Sequence, residues 1–173
     1  MGKRTKGITC WIEVTTGIRW GRMLAERNIR LDAPNTARYR NFFRGLKAGD
    51  LVLHYLTITL TPASDKRGCV AWVSGVESSP ALAGDRIVAK CWGTLELPRP
   101  VPCKKLRELR GKSAQLTKLV RMCMQRYLTR ITHSDFESIL GLYPENMKRF
   151  LKSPLARLYN RSGGREFQHQ FTC

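Results

Sequence analysis

The chain has 173 residues, 42% of them hydrophobic, and carries 31 Lys or Arg against 13 Asp or Glu, a formal charge of +18. Such a length suits one domain with a real core rather than a disordered chain, and such a charge, far outside the roughly ±2 to 8 usual for a small soluble domain, asks for a polyanion as partner. The basic residues are spread along the chain instead of on one amphipathic helix, and no apolar run nears the roughly 20 residues that span a bilayer, so nucleic acid is expected and a membrane is not.

Ile8 to Thr15 reads as a buried strand, followed by Trp20, Met23, Leu24 and Arg27 at helical spacing. The Asp32-Ala33-Pro34-Asn35 cluster is expected to break the chain. Tyr39, Phe42, Phe43 and Leu46 then recur at i, i+3, i+4 and i+7 on the core side of a short helix, which leaves Arg40, Asn41 and Arg44 pointing away. Gly49-Asp50 turns the chain into Leu51 to Leu60, a run of apolar and β-branched residues that predicts a strand buried on both faces.

Thr61 to Arg67 is read as a loop, Gly68 to Val76 as a strand and Glu77 to Asp85 as a polar link. Ile87, Ala89, Cys91, Gly93, Leu95 and Leu97 alternate with Arg86, Val88, Lys90, Trp92, Thr94 and Glu96. This strand should have one apolar and one mostly polar face, with Trp92 on the polar one. Pro98, Pro100 and Pro102 are expected to end it. Leu116, Leu119, Val120, Cys123 and Tyr127 mark a helix starting near Ser113, and Thr132 with Asp135 resembles a capping box before Phe136, Ile139 and Leu140. Pro144 with Met147, Phe150 and Leu151 predicts a last helix, after which the chain from Ser153, including Gly163-Gly164, is polar, basic and expected to be partly disordered. Strands separated by short helices, with a late strand returning over a long range, fit a small mixed barrel.

Chemistry-bearing clusters are few. Cys10, Cys69, Cys91, Cys103, Cys123 and Cys173 form no Cys-x-x-Cys pair and have no His at zinc-finger spacing, which predicts structural thiols in an intracellular, cytoplasmic protein. His54, His133 and His169 share no paired spacing. Pro102-Cys103 is followed by Lys104-Lys105-Leu106 where a deaminase would need a second Cys, and Gly163-Gly164 lacks the Lys-Ser/Thr of a phosphate loop. No catalytic residue, metal or cofactor is therefore expected. Base recognition needs stacking surfaces together with hydrogen-bonding groups at the base edge. Trp11 and Trp72 read as core, whereas Trp20 and Trp92 suit core or platform equally. Asn41 supplies a donor and an acceptor, Arg40 and Arg44 planar groups for phosphate.

The stretch from Arg40 to Tyr55, with Asn41, Leu46, Lys47, Gly49, Asp50 and Tyr55 in place, resembles a signature of the EVE branch of the PUA-like fold, related to YTH domains. Cys10-Trp11-Ile12-Glu13-Val14-Thr15-Thr16 is similar to that family's first strand, and Arg126 to Leu140 to its closing strand and following helix. Where relatives often carry a Trp-Gly pair, this chain has Ile29-Arg30-Leu31. The resemblance implies an α+β, PUA-like mixed β-barrel with short helices around it and a helical, basic C-terminal extension, divided as 1–143 and 144–173. It also implies nucleic-acid binding with a modified base in an aromatic pocket: the base stacked near Trp20 and Trp92, Asn41 with Thr15 and Thr16 at its edge, Arg40 and Arg44 on phosphate, and Arg126 in the wall. A structural RNA-binding protein for transfer or ribosomal RNA, with no modified-base pocket, is the alternative.

Overall fold

The computed structural model describes residues 7–121 and 126–161. At its centre β1 (Cys10–Thr15) runs parallel to β3 (Leu51–Leu56), and β7 (Leu128–Ile131) returns antiparallel on the other side of β1. The sheet continues from β3 to β4 (Cys69–Val76), then to the long β6 (Arg86–Pro102), whose first half also pairs with β2 (Arg30–Pro34) and β5 (Ala81–Ala83). The result is a curled mixed sheet, a half-barrel with helices around it, as the sequence predicts. No helix among the described residues is long and apolar enough to cross a membrane.

Alternation along the paired strands sorts side chains onto two faces. Past the short α3 (Cys103–Leu106), Ile12, Leu53, Val73 and Leu97 meet the helices α4 (Ala114–Arg121), α5 (His133–Gly141), α6 (Pro144–Leu151) and α7 (Pro154–Arg161) through Leu116, Phe136, Phe150 and Leu155. On the inner face Trp11, Val52 and Val76 pack with Leu31 and Ile87, and with Phe43 and Leu46 from the segment that follows α2 (Ala37–Phe42). Beside them Trp20 and Met23 of α1 (Gly17–Ala25) pack on Leu56, Ala71 and Trp72. The predicted capping box is present, with Thr132 Oγ1 accepting from Asp135 N and an Asp135 carboxylate oxygen accepting from Thr132 N, both at 3.0 Å.

Several local expectations are corrected. Asp32-Ala33-Pro34 does not break the chain but lies in β2: Leu31 and Ala33 are buried, and Pro34 ends the strand. Within the supposed polar link, Ala81–Ala83 forms β5. The apolar run after Gly49-Asp50 stops pairing at Leu56, leaving Ile58 and Leu60 in an exposed loop. Pro98 and Pro100 lie inside β6 instead of ending it, and only Pro102, its last residue, closes the strand as expected. Between them Arg99 N donates to Asn146 Oδ1 of α6 and, just beyond, Cys103 N donates to Gly68 O, so the prolines occupy the alternate positions that need no donor. Tyr127 leaves the helical stripe and packs on the inner face, and the segment beyond Ser153 begins with α7. Cys123, Gly163, Gly164, His169 and Cys173 lie outside the described residues.

Trp92 needs a subtler correction. It does stand opposite Ile87 and Ala89, as alternation predicts, yet its face is not the solvent-exposed polar one. The indole packs against the helix-side cluster, where a Cβ placed on Gly75 would come 2.7 Å from Trp92 Nε1 and 3.2 Å from Leu155 of α7. Gly93, at φ +61, then shifts the strand so that Leu95 and Leu97 follow Trp92 onto that same face.

Candidate functional site

Two regions gather the candidate residues. The first is an open groove of about 380 Å³ between α2 and the β5–β6 hairpin, lined by Arg40, Asn41, Phe43, Arg44, Pro80, Ala81, Leu82 and Ile87. Its geometry follows from the helical stripe: Phe43 and Leu46 are buried, Tyr39 and Phe42 pack edge to face at 5.9 Å, and the intervening Arg40, Asn41 and Arg44 are left exposed. No hydrogen bond or ion pair engages those three side chains among the described residues. The opposite wall is apolar, with Leu82 66% exposed. An apolar wall facing unpartnered guanidinium and carboxamide groups suits a flat, anionic or hydrogen-bonding ligand.

The second region is the inner face at the C-terminal end of β1. The β1–β3 register sets Glu13 beside His54, and Glu13 Oε2 lies 2.7 Å from His54 Nδ1, while His54 Nε2 bonds Ser74 Oγ. All three are fully buried. Arg19 of α1 approaches Glu13 at 3.9 Å and donates to Tyr127 Oη at 3.3 Å, its guanidinium 5.5 Å from the centre of that ring. Tyr127 Oη also accepts from Asp32 N at 2.8 Å, and burial pushes the phenol well above its ordinary pKa, which keeps it a neutral donor. Trp20 closes this region, its ring 4.4 Å from that of His54 and 5.0 Å from that of Trp72.

The Ser74–His54–Glu13 order resembles a nucleophile, base and orienting carboxylate. With all three fully buried and Trp20 against the imidazole, a reacting carbonyl has no approach, and the array instead satisfies polar groups within the sheet. Satisfaction is incomplete: Glu13 Oε1, Thr15 Oγ1 and Trp20 Nε1 have no hydrogen-bond partner among the described residues. No group of three or more His, Cys, Asp or Glu there could hold a metal ion.

The residues singled out from sequence therefore divide. Arg40, Asn41 and Arg44 converge on the groove. Thr15 is buried and Thr16 is the N-cap of α1, accepting from Arg19 N at 3.2 Å. Trp20 is 2% exposed. Trp92 lies on the other side of the sheet, and the half-buried Arg126 precedes Tyr127. Sequence reasoning missed Glu13, Arg19, His54 and Ser74 on the inner face and Leu82 in the groove. A charged residue and a histidine in strands otherwise read as core were the available signal for the first set.

Solved structures share this architecture at low sequence identity. A hypothetical protein from Leishmania major matches with a TM-score of 0.59 at 15% identity, over 83% of this chain and 99% of its own. Human THYN1, solved in complex with 5-methylcytosine-containing DNA, matches with a TM-score of 0.57 at 13% identity, over 79% and 97%. The N-terminal domain of McrB from Staphylothermus marinus matches with a TM-score of 0.51 at 13% identity, over 82% and 98%. No family model and no curated protein sequence matches the chain. The likeness is one of fold alone: an α+β, PUA-like architecture in which a curled mixed sheet is surrounded by short helices.

Proposed function

We propose that this chain binds nucleic acid through the α2 groove and reads a modified base there, without catalysing a reaction on it. The observation that carries this reading is the convergence of Arg40, Asn41 and Arg44, none engaged elsewhere among the described residues, on one groove of a chain with a charge of +18. The guanidinium groups of Arg40 and Arg44 hold phosphate, and the Asn41 carboxamide offers the donor and acceptor that a base edge needs. The groove's volume of about 380 Å³ falls within the roughly 300–1,000 Å³ of ligand sites. Leu82 and Ile87 supply the apolar surface against which a base lies, in place of the tryptophans expected from sequence. The shared fold with human THYN1, itself solved with 5-methylcytosine-containing DNA, supports the choice of ligand.

A structural RNA-binding role without modified-base reading has one observation in its favour: Trp20 is packed on His54 and Trp72 and offers no free stacking face. Fluorescence anisotropy with matched modified and unmodified DNA and RNA oligonucleotides, repeated over a salt series, separates the two. Both readings require log affinity to fall steeply with log salt, because bound phosphates release counterions. A flat salt plot would refute nucleic-acid binding altogether. Equal affinity for modified and unmodified strands, with a preference for structured RNA, would leave only the structural role.

A further inference from the structure

Three of the five large exposed hydrophobic residues among those described gather at one place: Ile18 at the start of α1 is 53% exposed, and Ile58 and Leu60 in the β3–β4 loop are 60% and 63% exposed. The loop is not a loose excursion. Thr57 N donates to Thr15 O at 2.9 Å, Ile18 N to Leu60 O at 3.2 Å, Gly17 N to Thr61 Oγ1 at 2.8 Å and Arg67 Nε to Ile58 O at 3.0 Å. Leu60 is held at φ +54, a left-handed conformation that branched side chains avoid. Hydrogen bonds thus fix a backbone that presents aliphatic side chains to solvent, where ordinary surface loops present polar ones. Arg22, four residues after Ile18 on α1, and Arg67 are both exposed and flank this apolar tip.

We propose that the β3–β4 loop, with Ile18 beside it, is a wedge that inserts between stacked base pairs of a duplex. Cations around an aliphatic tip complement a ligand that is anionic outside and apolar between its bases, whereas a protein surface offers no such layering. Insertion of Leu or Ile side chains into a base step unstacks it and kinks the helix. This rests on nucleic acid being the ligand, and adds a contact that the groove does not supply. Because β3 and β4 are antiparallel, the loop leaves one end of the pair while the chain toward Pro80 and the groove leaves the other. A six-residue strand spans roughly 20 Å, so the wedge is not filling the gap left by a base in the groove; it bends the duplex so that its backbone wraps toward Arg40 and Arg44.

The test uses the full chain and an Ile58→Ser/Leu60→Ser variant, checked for folding by circular dichroism. Both are titrated onto a duplex containing 2-aminopurine and carrying a donor and acceptor dye at its ends, and onto a single strand of the same sequence. The wild-type protein should raise 2-aminopurine fluorescence and shorten the end-to-end distance. The variant should lose both signals and bind the duplex roughly tenfold more weakly, as expected for two aliphatic side chains no longer buried, while single-strand affinity stays within about twofold. Retention of both signals by the variant would overturn the wedge. So would finding that the variant changes only self-association or binding to vesicles of anionic phospholipid. A wild-type protein that binds no oligonucleotide would overturn the wedge together with the nucleic-acid reading, whereas binding that depends on Arg40 and Arg44 but not on Ile58 and Leu60 would overturn the wedge alone.

Discussion

The α2 groove and the α1 interior both hold polar side chains next to aromatic ones, but they differ in what those groups already touch. In the interior His54 bonds both Glu13 and Ser74, Trp20 packs on two rings, and Arg19 approaches Glu13 at 3.9 Å. In the groove no hydrogen bond or ion pair engages the exposed side chains of Arg40, Asn41 and Arg44 among the described residues. A binding surface keeps its hydrogen-bonding capacity unspent, whereas a fold-specifying array consumes most of it internally, here leaving Glu13 Oε1, Thr15 Oγ1 and Trp20 Nε1 without a partner among the described residues. The same residue types therefore carry opposite expectations in the two places: substitution in the interior should be read in stability, and substitution in the groove in affinity.

Trp20→Ala is the largest such effect. Truncating an indole that is 2% exposed and packed on His54 and Trp72 leaves a cavity over the Glu13–His54 pair, and should cost about 3–5 kcal/mol of stability in denaturant unfolding. If instead the variant unfolds at the wild-type midpoint but binds oligonucleotides poorly, Trp20 is a stacking platform after all and the contrast between the regions collapses.

How much of this was legible in the sequence depends on how local the controlling interaction is. The stripe Tyr39, Phe42, Phe43 and Leu46 indicated which side faces the core, and with it the exposure of Arg40, Asn41 and Arg44, because such periodicity is a local property, although the helix stops at Phe42 and the buried Phe43 and Leu46 come from the segment after it. Thr132 and Asp135 were readable for the same reason. The Asp32–Pro34 strand was not, since it exists through pairing with Arg86–Lys90, more than fifty residues on. Trp92 shows a different limit. Counting alternate residues put it opposite Ile87 correctly, but no count reveals that α7 covers that side or that Gly93 moves Leu95 and Leu97 onto it. The Glu13–His54 contact likewise follows from a β1–β3 register set by strands some forty residues apart.

In the groove the comparison sharpens with Arg40→Ala/Arg44→Ala. Both side chains are exposed and have no ion-pair partner among the described residues, so folding stability should stay within about 0.5 kcal/mol. Affinity for every nucleic acid should fall together, by about 2–3 kcal/mol for the pair, because charge-assisted contacts to phosphate are lost and phosphate carries no base information. The slope of log affinity against log salt should also become shallower by about 2, one unit for each lost contact. Isothermal titration across a salt series measures both quantities. Loss of affinity for one sequence only, with the slope unchanged, would mean that the arginines touch bases rather than backbone.

Asn41→Ala is the smallest change and the most discriminating. Asn41, exposed on α2 and lining the groove with Arg40 and with Arg44 of the turn after the helix, carries no charge and makes no side-chain bond among the described residues, so its removal should leave both stability and the salt slope as they were. If its carboxamide pairs with a base edge, the gap in affinity between modified and unmodified oligonucleotides should narrow by about 1–2 kcal/mol, while the weaker ligand binds nearly as before. Asn41→Asp refines the reading, since a carboxylate keeps an acceptor, loses the donor and adds repulsion toward phosphate. It should therefore weaken all ligands and restore none of the lost discrimination. An Asn41→Ala protein that weakens every oligonucleotide equally would assign Asn41 to the phosphate-holding set with Arg40 and Arg44, and base reading would have to be sought outside the groove.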